Sequence, residues 1–290
     1  MPDGYTFNYE RMHTMINKRI LTVQDISCVG QCSLTVALPI LSACGIETCV
    51  LPSAVLSTHT GGFKGYTFRD LTEDMPAIRE HWEKEKIGFD AVYTGYLGST
   101  KQIGYVKDIF DSVTLPGGKK IVDPAMADNG KLYYGFDGKF AEAMTSLCAS
   151  ADIVLPNITE ACFMTGAEYR ESYGEGYITD ILAALEKKGV ANVVLTGVGF
   201  EEGWTGVMVK TGSKTEYYRH KRLPVSSHGT GDVYASAFCG ALVRGFSEYE
   251  SAKIAADFTV ACIGNTEKEH WYGVRFEPTL PVLMKALKLV

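Results

Sequence analysis

The segment Ser227-His228-Gly229-Thr230-Gly231-Asp232 leads directly into the small and apolar run Val233-Tyr234-Ala235-Ser236-Ala237-Phe238-Cys239-Gly240-Ala241-Leu242. The two glycines let the backbone approach a ligand, and a helix that begins near Asp232 would direct its unpaired amide groups at a bound anion. A carboxylate beside a phosphate needs a metal or a chemical task such as accepting a proton. Taken alone, however, the motif more often describes an Asp that serves only as an N-cap or first-turn residue before a buried helix.

On both sides of this turn, short apolar runs alternate with longer helical patterns. Strands are predicted at residues 20–23, 47–51, 91–93, 120–122, 153–155 and 193–195, and helices at 34–44, 72–86, 99–113, 138–149, 177–188, 232–245 and 248–264. Residues 204–220 resemble a β-hairpin. Apolar strands separated by helices predict an α/β fold, a three-layer α/β/α sandwich with a mainly parallel central sheet. Ligands of such a sheet gather at the carboxyl ends of its strands.

The composition sets limits on domain number and on partners. A chain of 290 residues with 46% hydrophobic residues and a net charge of −6 predicts one large domain, residues 20–290, after a poorly ordered extension, residues 1–19. The acidic balance, without Lys or Arg clusters, argues against nucleic acid as a partner. No apolar run is long enough for a membrane span or a signal peptide, so we expect a cytoplasmic protein whose eight cysteines are reduced.

Polar residues follow several predicted strands and suit phosphoryl transfer: Asp123, Asn157, Glu160 and Thr196, with the Gly229–Asp232 turn. The P-loop and Rossmann glycine motifs are absent. Asn157 and Glu160, three residues apart at the start of a short helix, face one side and are candidates to hold Mg²⁺ through its waters. Helix capping is the alternative role for both.

These motifs resemble those of the ribokinase superfamily, and within it the pyridoxal (vitamin B6) kinases. The resemblance is carried by the Gly-Thr-Gly-Asp turn, Asn157-x-x-Glu160, Asp123-Pro124, Val23-Gln24, Thr58-His59-Thr60-Gly61 and Thr94-Gly95-Tyr96-Leu97, and it extends from about residue 20 to about residue 265. It implies that ATP phosphorylates the 5′-hydroxymethyl group of pyridoxal, pyridoxamine or pyridoxine.

The resemblance also implies roles for individual residues. Asp232 is the expected base, and the amides of Gly229, Thr230 and Gly231 hold the developing negative charge. The expected nucleotide contacts are Asp123, Asn157, Glu160, Thr196, Gly197, Gly229 and Thr230, with Mg²⁺ near Asp123, Asn157 and Glu160. A monovalent cation such as K⁺ and a homodimer are also implied.

On the substrate side, the resemblance implies contacts from Asp25, His59, Thr60, Tyr96 and Asp232. A Thr and a Tyr suit a small aromatic alcohol, whereas a lone His is more often a packed residue. Two positions depart from the family pattern, since Asp25 replaces a frequent Ser and Leu155 replaces a frequent polar residue. An acceptor-only carboxylate at position 25 favours substrates with a donor, such as pyridoxamine.

Two segments are candidates to cover the site. Residues 127–135 have the composition of a flap over the nucleotide, although a plain surface loop fits as well. Residues 61–66 suit either a cover over the substrate or a subunit contact. The alternative functions are a hydroxymethylpyrimidine kinase, a sugar kinase, or a protein that only binds vitamer or nucleotide. Against the first, that branch has Cys where this chain has Asp232.

Overall fold

The computed structural model describes residues 17–224 and 227–290. Nine strands form one twisted sheet, and two further strands form a small separate hairpin. The strands are β1 Arg19–Ser27, β2 Glu47–Leu56, β3 Phe68–Asp70, β4 Phe89–Thr94, β5 Thr114–Val122, β6 Ala127–Asp128, β7 Lys131–Leu132, β8 Ile153–Val154, β9 Val193–Val198, β10 Trp204–Thr211 and β11 Lys214–Lys221. The large sheet has the order β11-β10-β9-β8-β5-β4-β1-β2-β3.

The sheet is parallel through its centre. The neighbours from β2 through β1, β4, β5 and β8 to β9 are all parallel, and the antiparallel pairings of this sheet, β2–β3, β9–β10 and β10–β11, lie at its edges. The predicted mainly parallel sheet and the predicted hairpin at 204–220 are therefore confirmed. Gly212, with φ 57°, allows the tight turn between β10 and β11.

Helices cover both faces of the sheet. They are α1 Leu34–Ala43, α2 Met75–Lys84, α3 Thr100–Val113, α4 Gly138–Cys148, α5 Ile158–Thr165, α6 Glu175–Lys187, α7 Thr230–Val243, α8 Glu248–Gly264 and α9 Leu280–Ala286, with a short 3₁₀ turn at Glu277–Thr279. Helices α2 to α6 pack on one face, and α1, α7, α8 and α9 pack on the other. Alternate residues of one strand enter different cores, since Ile20 faces the second group and Leu21 the first. The three-layer α/β/α architecture is confirmed.

Helix α7 is apolar on every side and lies at the centre of its layer, with ten consecutive buried residues from Val233 to Leu242. Such a helix has no solvent face, so its contacts must be close. At Gly240, a Cβ atom would lie only 2.3 Å from the Cys44 sulfur at the end of α1. The small residues of this run therefore let two helices pack tightly behind the Gly-rich turn.

Some element boundaries differ from the sequence prediction. The expected extension, residues 1–19, lies outside the described residues up to position 16, and its last residue, Arg19, is the first residue of β1. Strand β1 also continues to Ser27, so Gln24 to Ser27 lie inside the strand and not after it. Among residues 17–224 and 227–290, no helix has the length and apolar character that a membrane crossing requires.

Candidate active site

The Gly-rich turn is fixed by close contact with the segment after β1. Gly229 has φ 76°, and a Cβ atom there would lie 1.7 Å from the carbonyl oxygen of Gln31. Both facts require glycine at this position. Gly231 differs, because nothing lies within 4 Å of the place where its Cβ atom would be. The space beside Gly231 is thus open at the amino end of α7, where backbone amides favour an anion.

Asp232 lies in the first turn of α7, whose N-cap residue is Gly229. Asp232 is therefore not the N-cap, and it occupies the first-turn position that the structural alternative also described. Burial, together with the charges of Asp123 and Asp25, raises its pKa to about 7, although the backbone amide of Ser33 partly opposes this shift. A carboxyl group with a pKa near neutrality is suited to accept a proton during a reaction.

Asn157 and Glu160 form a complete capping box at the start of α5. The Asn157 side chain accepts from the Glu160 amide at 2.9 Å, and Glu160 Oε2 accepts from the Asn157 amide at 2.8 Å. Glu160 Oε1 also accepts from the Met126 amide at 3.1 Å, and Asn157 Nδ2 donates to the Ala127 carbonyl at 2.9 Å. The capping role is thus realised, and the Mg²⁺ role predicted for this pair must use lone pairs that the cap leaves free.

Asp123 directly follows β5, and one of its oxygens accepts from the Ala125 amide at 3.2 Å. Burial and the neighbouring Glu160 charge raise its pKa, and burial raises the pKa of Glu160 as well. Two carboxylates that repel each other in an enclosed place form a donor set that a divalent cation would neutralise. The described residues contain no group of three or more Asp, Glu, His or Cys side chains arranged to hold a metal, so a cation bound here would need waters or phosphates to complete its coordination.

Thr196 and Gly197 lie beside this acidic pair, near the end of β9. Thr196 pairs with Asn157 in a parallel bridge, and its hydroxyl donates to the Pro156 carbonyl at 3.3 Å. Gly197 is exposed with φ 77°, and its carbonyl accepts from the Tyr173 hydroxyl at 3.3 Å. The structure thus brings together, on one edge of the sheet, the residues predicted to bind the nucleotide at the ends of β5, β8 and β9.

Asp25 is buried inside β1, and two serines occupy its carboxylate. Ser33 Oγ donates to Oδ1 at 2.6 Å, and Ser27 Oγ donates to Oδ2 at 2.9 Å. Burial raises the pKa of Asp25 even though these hydrogen bonds lower it. Any substrate donor must therefore share these oxygens with the two hydroxyls. The other departure from the family pattern, Leu155, lies buried in the core behind the sheet.

His59 uses both ring nitrogens on the backbone. Nδ1 accepts from the Gly61 amide at 3.0 Å, so Nε2 carries the hydrogen and donates to the Tyr272 carbonyl at 2.6 Å. The ring also packs against Phe63 and His228, with centroids 5.0 and 5.1 Å away. His59 thus has only ring carbons left for a substrate contact. Thr60, the next predicted substrate residue, is exposed beside it.

Tyr96 is half-buried and stacks on Phe136, with ring centroids 5.6 Å apart. Burial, followed by the charges of Asp25 and Tyr66, raises its pKa to about 12. Tyr96 and Asp25 therefore lie on the same side of the site. Phe136 follows the candidate flap, residues 127–135, in which β6 and β7 form a hairpin whose Gly130 amide donates to Thr159 Oγ1 at 3.1 Å.

Two sets of residues at the site are not predicted from the sequence. Ser27 and Ser33 hold Asp25, yet serines after a strand give no distinctive pattern. The segment 270–274 also borders the site. Its Val274 amide donates to the His228 carbonyl at 3.1 Å, and its Gly273 pairs with Gln31. The His228 ring in turn lies against Gly61. The clustered aromatic residues of segment 270–274 were the available signal.

Comparisons with known proteins give the family. The model described as "Phosphomethylpyrimidine kinase" matches residues 42–274. A putative phosphomethylpyrimidine kinase from Bacteroides thetaiotaomicron VPI-5482, crystallised with pyridoxal, is 35% identical with TM-score 0.86, covering 92% of this chain and 96% of that one. The pyridoxal kinase from Lactobacillus plantarum is 31% identical with TM-score 0.86, covering 92% and 97%.

A more distant structure shows the same fold with both kinds of ligand. The pyridoxal kinase from Staphylococcus aureus in complex with AMP-PCP and pyridoxal is 20% identical with TM-score 0.75, covering 90% of this chain and 94% of that one. The family match spans most of the chain and agrees with the sheet order and with the acidic residues at the strand ends. The chain belongs to the phosphomethylpyrimidine kinase family of the ribokinase superfamily, and it is a kinase of the pyridoxal and hydroxymethylpyrimidine kinase group.

Proposed function

We propose that this kinase transfers the γ-phosphate of ATP to the 5′-hydroxymethyl group of a B6 vitamer. The observation that carries the proposal is Asp232, a first-turn carboxylate whose pKa lies at about 7, beside the open space at Gly231. The pyridoxal-bound structure of the 35% identical relative supports the substrate class. The flat Tyr96 ring beside Asp25 suits a small heteroaromatic alcohol.

In this proposal Asp232 takes the hydroxyl proton as the alcohol oxygen attacks phosphorus. A primary alcohol is too weak an acid to ionise beforehand, so the proton moves together with the phosphoryl group. The amides of Gly229, Thr230 and Gly231 lie at the amino end of α7, and there they stabilise the phosphate during its transfer. Thr196 and Gly197 contact the nucleotide from the end of β9.

Mg²⁺ fits the edge that contains Asp123 and Glu160. These two residues would hold the ion, with Asn157 reaching its waters, and the bound cation supplies charge neutralisation for the phosphates. The lone pairs of Glu160 that its backbone hydrogen bonds leave free would bind the ion, while those bonds fix the position of the carboxylate. The candidate flap, residues 127–135, is fastened to α5 through Gly130 and Thr159 and would cover the nucleotide from that side.

The second candidate is phosphorylation of a hydroxymethylpyrimidine. The description of the matching family model favours it, and so does the name of the 35% identical relative. Asp232 argues against it, because the hydroxymethylpyrimidine branch resembles this chain but carries Cys at that position. Both substrates are heteroaromatic alcohols, so the same base and the same phosphate-binding amides at the amino end of α7 would serve either one.

The deciding experiment measures ATP consumption with pyridoxal, pyridoxamine, pyridoxine and hydroxymethylpyrimidine as separate acceptors, and identifies the phosphorylated product by mass spectrometry. We expect the highest kcat/KM with one of the three vitamers. A kcat/KM for hydroxymethylpyrimidine that exceeds all three would establish the second candidate instead. Comparing wild type with Asp25→Ser tests the acceptor role of Asp25, since unchanged ratios among the vitamers would show that Asp25 does not select among them.

A further inference from the structure

Ser33 lies between the two carboxylates on the substrate side of the site. Its hydroxyl donates to Asp25 Oδ1 at 2.6 Å. Its backbone amide faces Asp232 and lowers the pKa of that carboxyl group. Ser33 therefore bonds the carboxylate that we assign to the substrate, and its amide lowers the pKa of the carboxyl group that we assign to catalysis.

The backbone of Ser33 adopts a conformation that side-chain-bearing residues seldom take. Its φ is 56° and its ψ is −131°. Its carbonyl begins α1 by accepting from the Val36 and Ala37 amides at 3.0 and 2.9 Å. A serine at this position usually turns its hydroxyl onto the helix, but this hydroxyl makes no cap and serves Asp25 instead. Such a conformation persists only where the surroundings hold it, and it points to a functional role.

The residues before Ser33 fill the gap between the same two carboxylates. The Gln31 carbonyl lies against the α-carbon of Gly229, where a Cβ atom would come within 1.7 Å of it. Burial raises the pKa of the Cys32 thiol, and the charges of Asp232 and Asp25 raise it further. Residues 31–33 thus pass directly between Asp25 and the Gly-rich turn, and a shift at one side is transmitted to the other.

We propose that Ser33 is a positioning residue that couples the substrate-side carboxylate Asp25 to the Gly-rich turn that carries Asp232: its hydroxyl holds Asp25, and the segment that it ends, residues 31–33, packs on Gly229. The inference rests on the proposed function of these two carboxylates. A substrate donor that draws on Asp25 competes with the Ser33 hydroxyl, and the resulting shift of the Ser33 backbone changes the position of Asp232. Substrate selection at Asp25 then appears in kcat and not only in KM.

Two alanine variants, each of which removes one hydroxyl from the Asp25 carboxylate, distinguish this positioning role from a purely structural role. Ser33→Ala removes the hydroxyl on Oδ1, and Ser27→Ala removes the hydroxyl on Oδ2, but only Ser33 belongs to the segment that packs on the Gly-rich turn. We expect Ser33→Ala to lower kcat about tenfold or more, because small displacements of reacting groups are costly. We expect Ser27→Ala mainly to raise the KM of the alcohol, with kcat within about threefold of wild type. Equal kcat losses in both variants would overturn the inference.

A double-mutant cycle with Asp25→Asn tests whether Ser33 acts through Asp25. We expect the kcat loss of Ser33→Ala to be largely absent in the Asp25→Asn background, because the hydroxyl then holds no carboxylate. Losses that multiply to within about twofold would overturn the proposal. Ser33→Gly serves as a second variant where Ser33→Ala folds poorly, since glycine accepts φ 56° without strain.

The wild-type measurement separates the two levels of the proposal. A wild-type protein that phosphorylates none of the four heteroaromatic alcohols would overturn the proposed function and this inference together. A wild-type protein that is active, with variants that lose only thermal stability at constant kcat, would overturn this inference alone.

Discussion

Two acidic residues of this site show how environment divides roles at the scale of single residues. Glu160 accepts from the backbone amides of Asn157 and Met126, so its position is tied to the fold. Asp232 lies in the first turn of α7, after the N-cap Gly229, and its pKa lies at about 7. Glu160 is thus tied to the capping box of α5, whereas Asp232 is suited to accept a proton.

Asp232→Asn should lower kcat roughly 10²- to 10⁴-fold, because the variant keeps the shape of the side chain and loses the base. The KM for ATP should change little, since the amides of the turn are unaltered. Steady-state kinetics over both substrates measures these quantities. Asp180→Asn, an exposed carboxylate on α6, is the matched control and should leave kcat unchanged. A kcat loss below about threefold in Asp232→Asn would argue against general-base catalysis.

At the scale of elements, the Gly-rich turn offers two glycines with different physical requirements. Gly229→Ala would place a methyl group 1.7 Å from the Gln31 carbonyl at φ 76°, so we expect a marked loss of Tm. Gly231→Ala meets no atom within 4 Å and adds a good helix former, so its Tm should hold or rise. Its methyl group would enter the open space at the amino end of α7 where we propose that phosphate binds, and the KM for ATP should therefore increase. Thermal melts and ATP titrations separate the two effects, and equal melting temperatures would contradict this account.

His59 fastens two loops that are distant in sequence, since it bonds Gly61 and the Tyr272 carbonyl. His59→Phe keeps the aromatic packing and removes both hydrogen bonds. We expect faster amide exchange at residues 59–63 and 270–273, with a higher KM for the alcohol and a smaller change in kcat. His81→Phe, on α2 away from the site, is the control. Unchanged exchange at residues 270–273 would contradict the fastening role.

Elements with strong periodicity could be predicted from the sequence, and those shaped by tertiary contacts could not. Helix α1 was predicted at 34–44 and observed at Leu34–Ala43 because its apolar spacing is regular. Strand β1 extends through Gln24 to Ser27, where buried polar side chains bond one another and hide the strand pattern. Strand β3 has three exposed residues and the β6–β7 hairpin has two residues per strand, too few for any pattern.

For the site, the sequence supplied the residues that carry charge and the family resemblance supplied their roles. The sequence did not predict the partners of Asp25 and His59. Ser33 meets Asp25 because the chain turns back after β1, and Tyr272 meets His59 across more than 200 positions of sequence. Neither interaction has a local pattern. Residues whose function lies in a hydrogen bond to a distant segment are visible only in the structure.

At the scale of the whole molecule, the acidic cluster makes stability depend on pH. A carboxyl group whose pKa is raised in the folded state binds its proton more tightly there than in the unfolded chain. Its stabilising contribution is complete below the ordinary pKa of an Asp, near 4, and is lost as the pH rises through the folded value, about 7 for Asp232. The ligand-free protein therefore carries an electrostatic cost at neutral pH that its catalytic residue creates.

Asp232→Asn should remove this cost, because an amide stays neutral at every pH. The Tm of the variant minus that of wild type should be small near pH 5, grow as the pH rises, and level off above about pH 7, the folded pKa of Asp232. Taking the difference cancels groups of opposite sign, such as His228, whose pKa burial lowers. Melts from pH 5 to pH 8 without ligand measure this difference, with Asp180→Asn as the exposed control variant. A gap that stays constant or shrinks with pH would show that Asp232 titrates normally in the folded protein, and its fit to the task of a base near neutral pH would be lost with it.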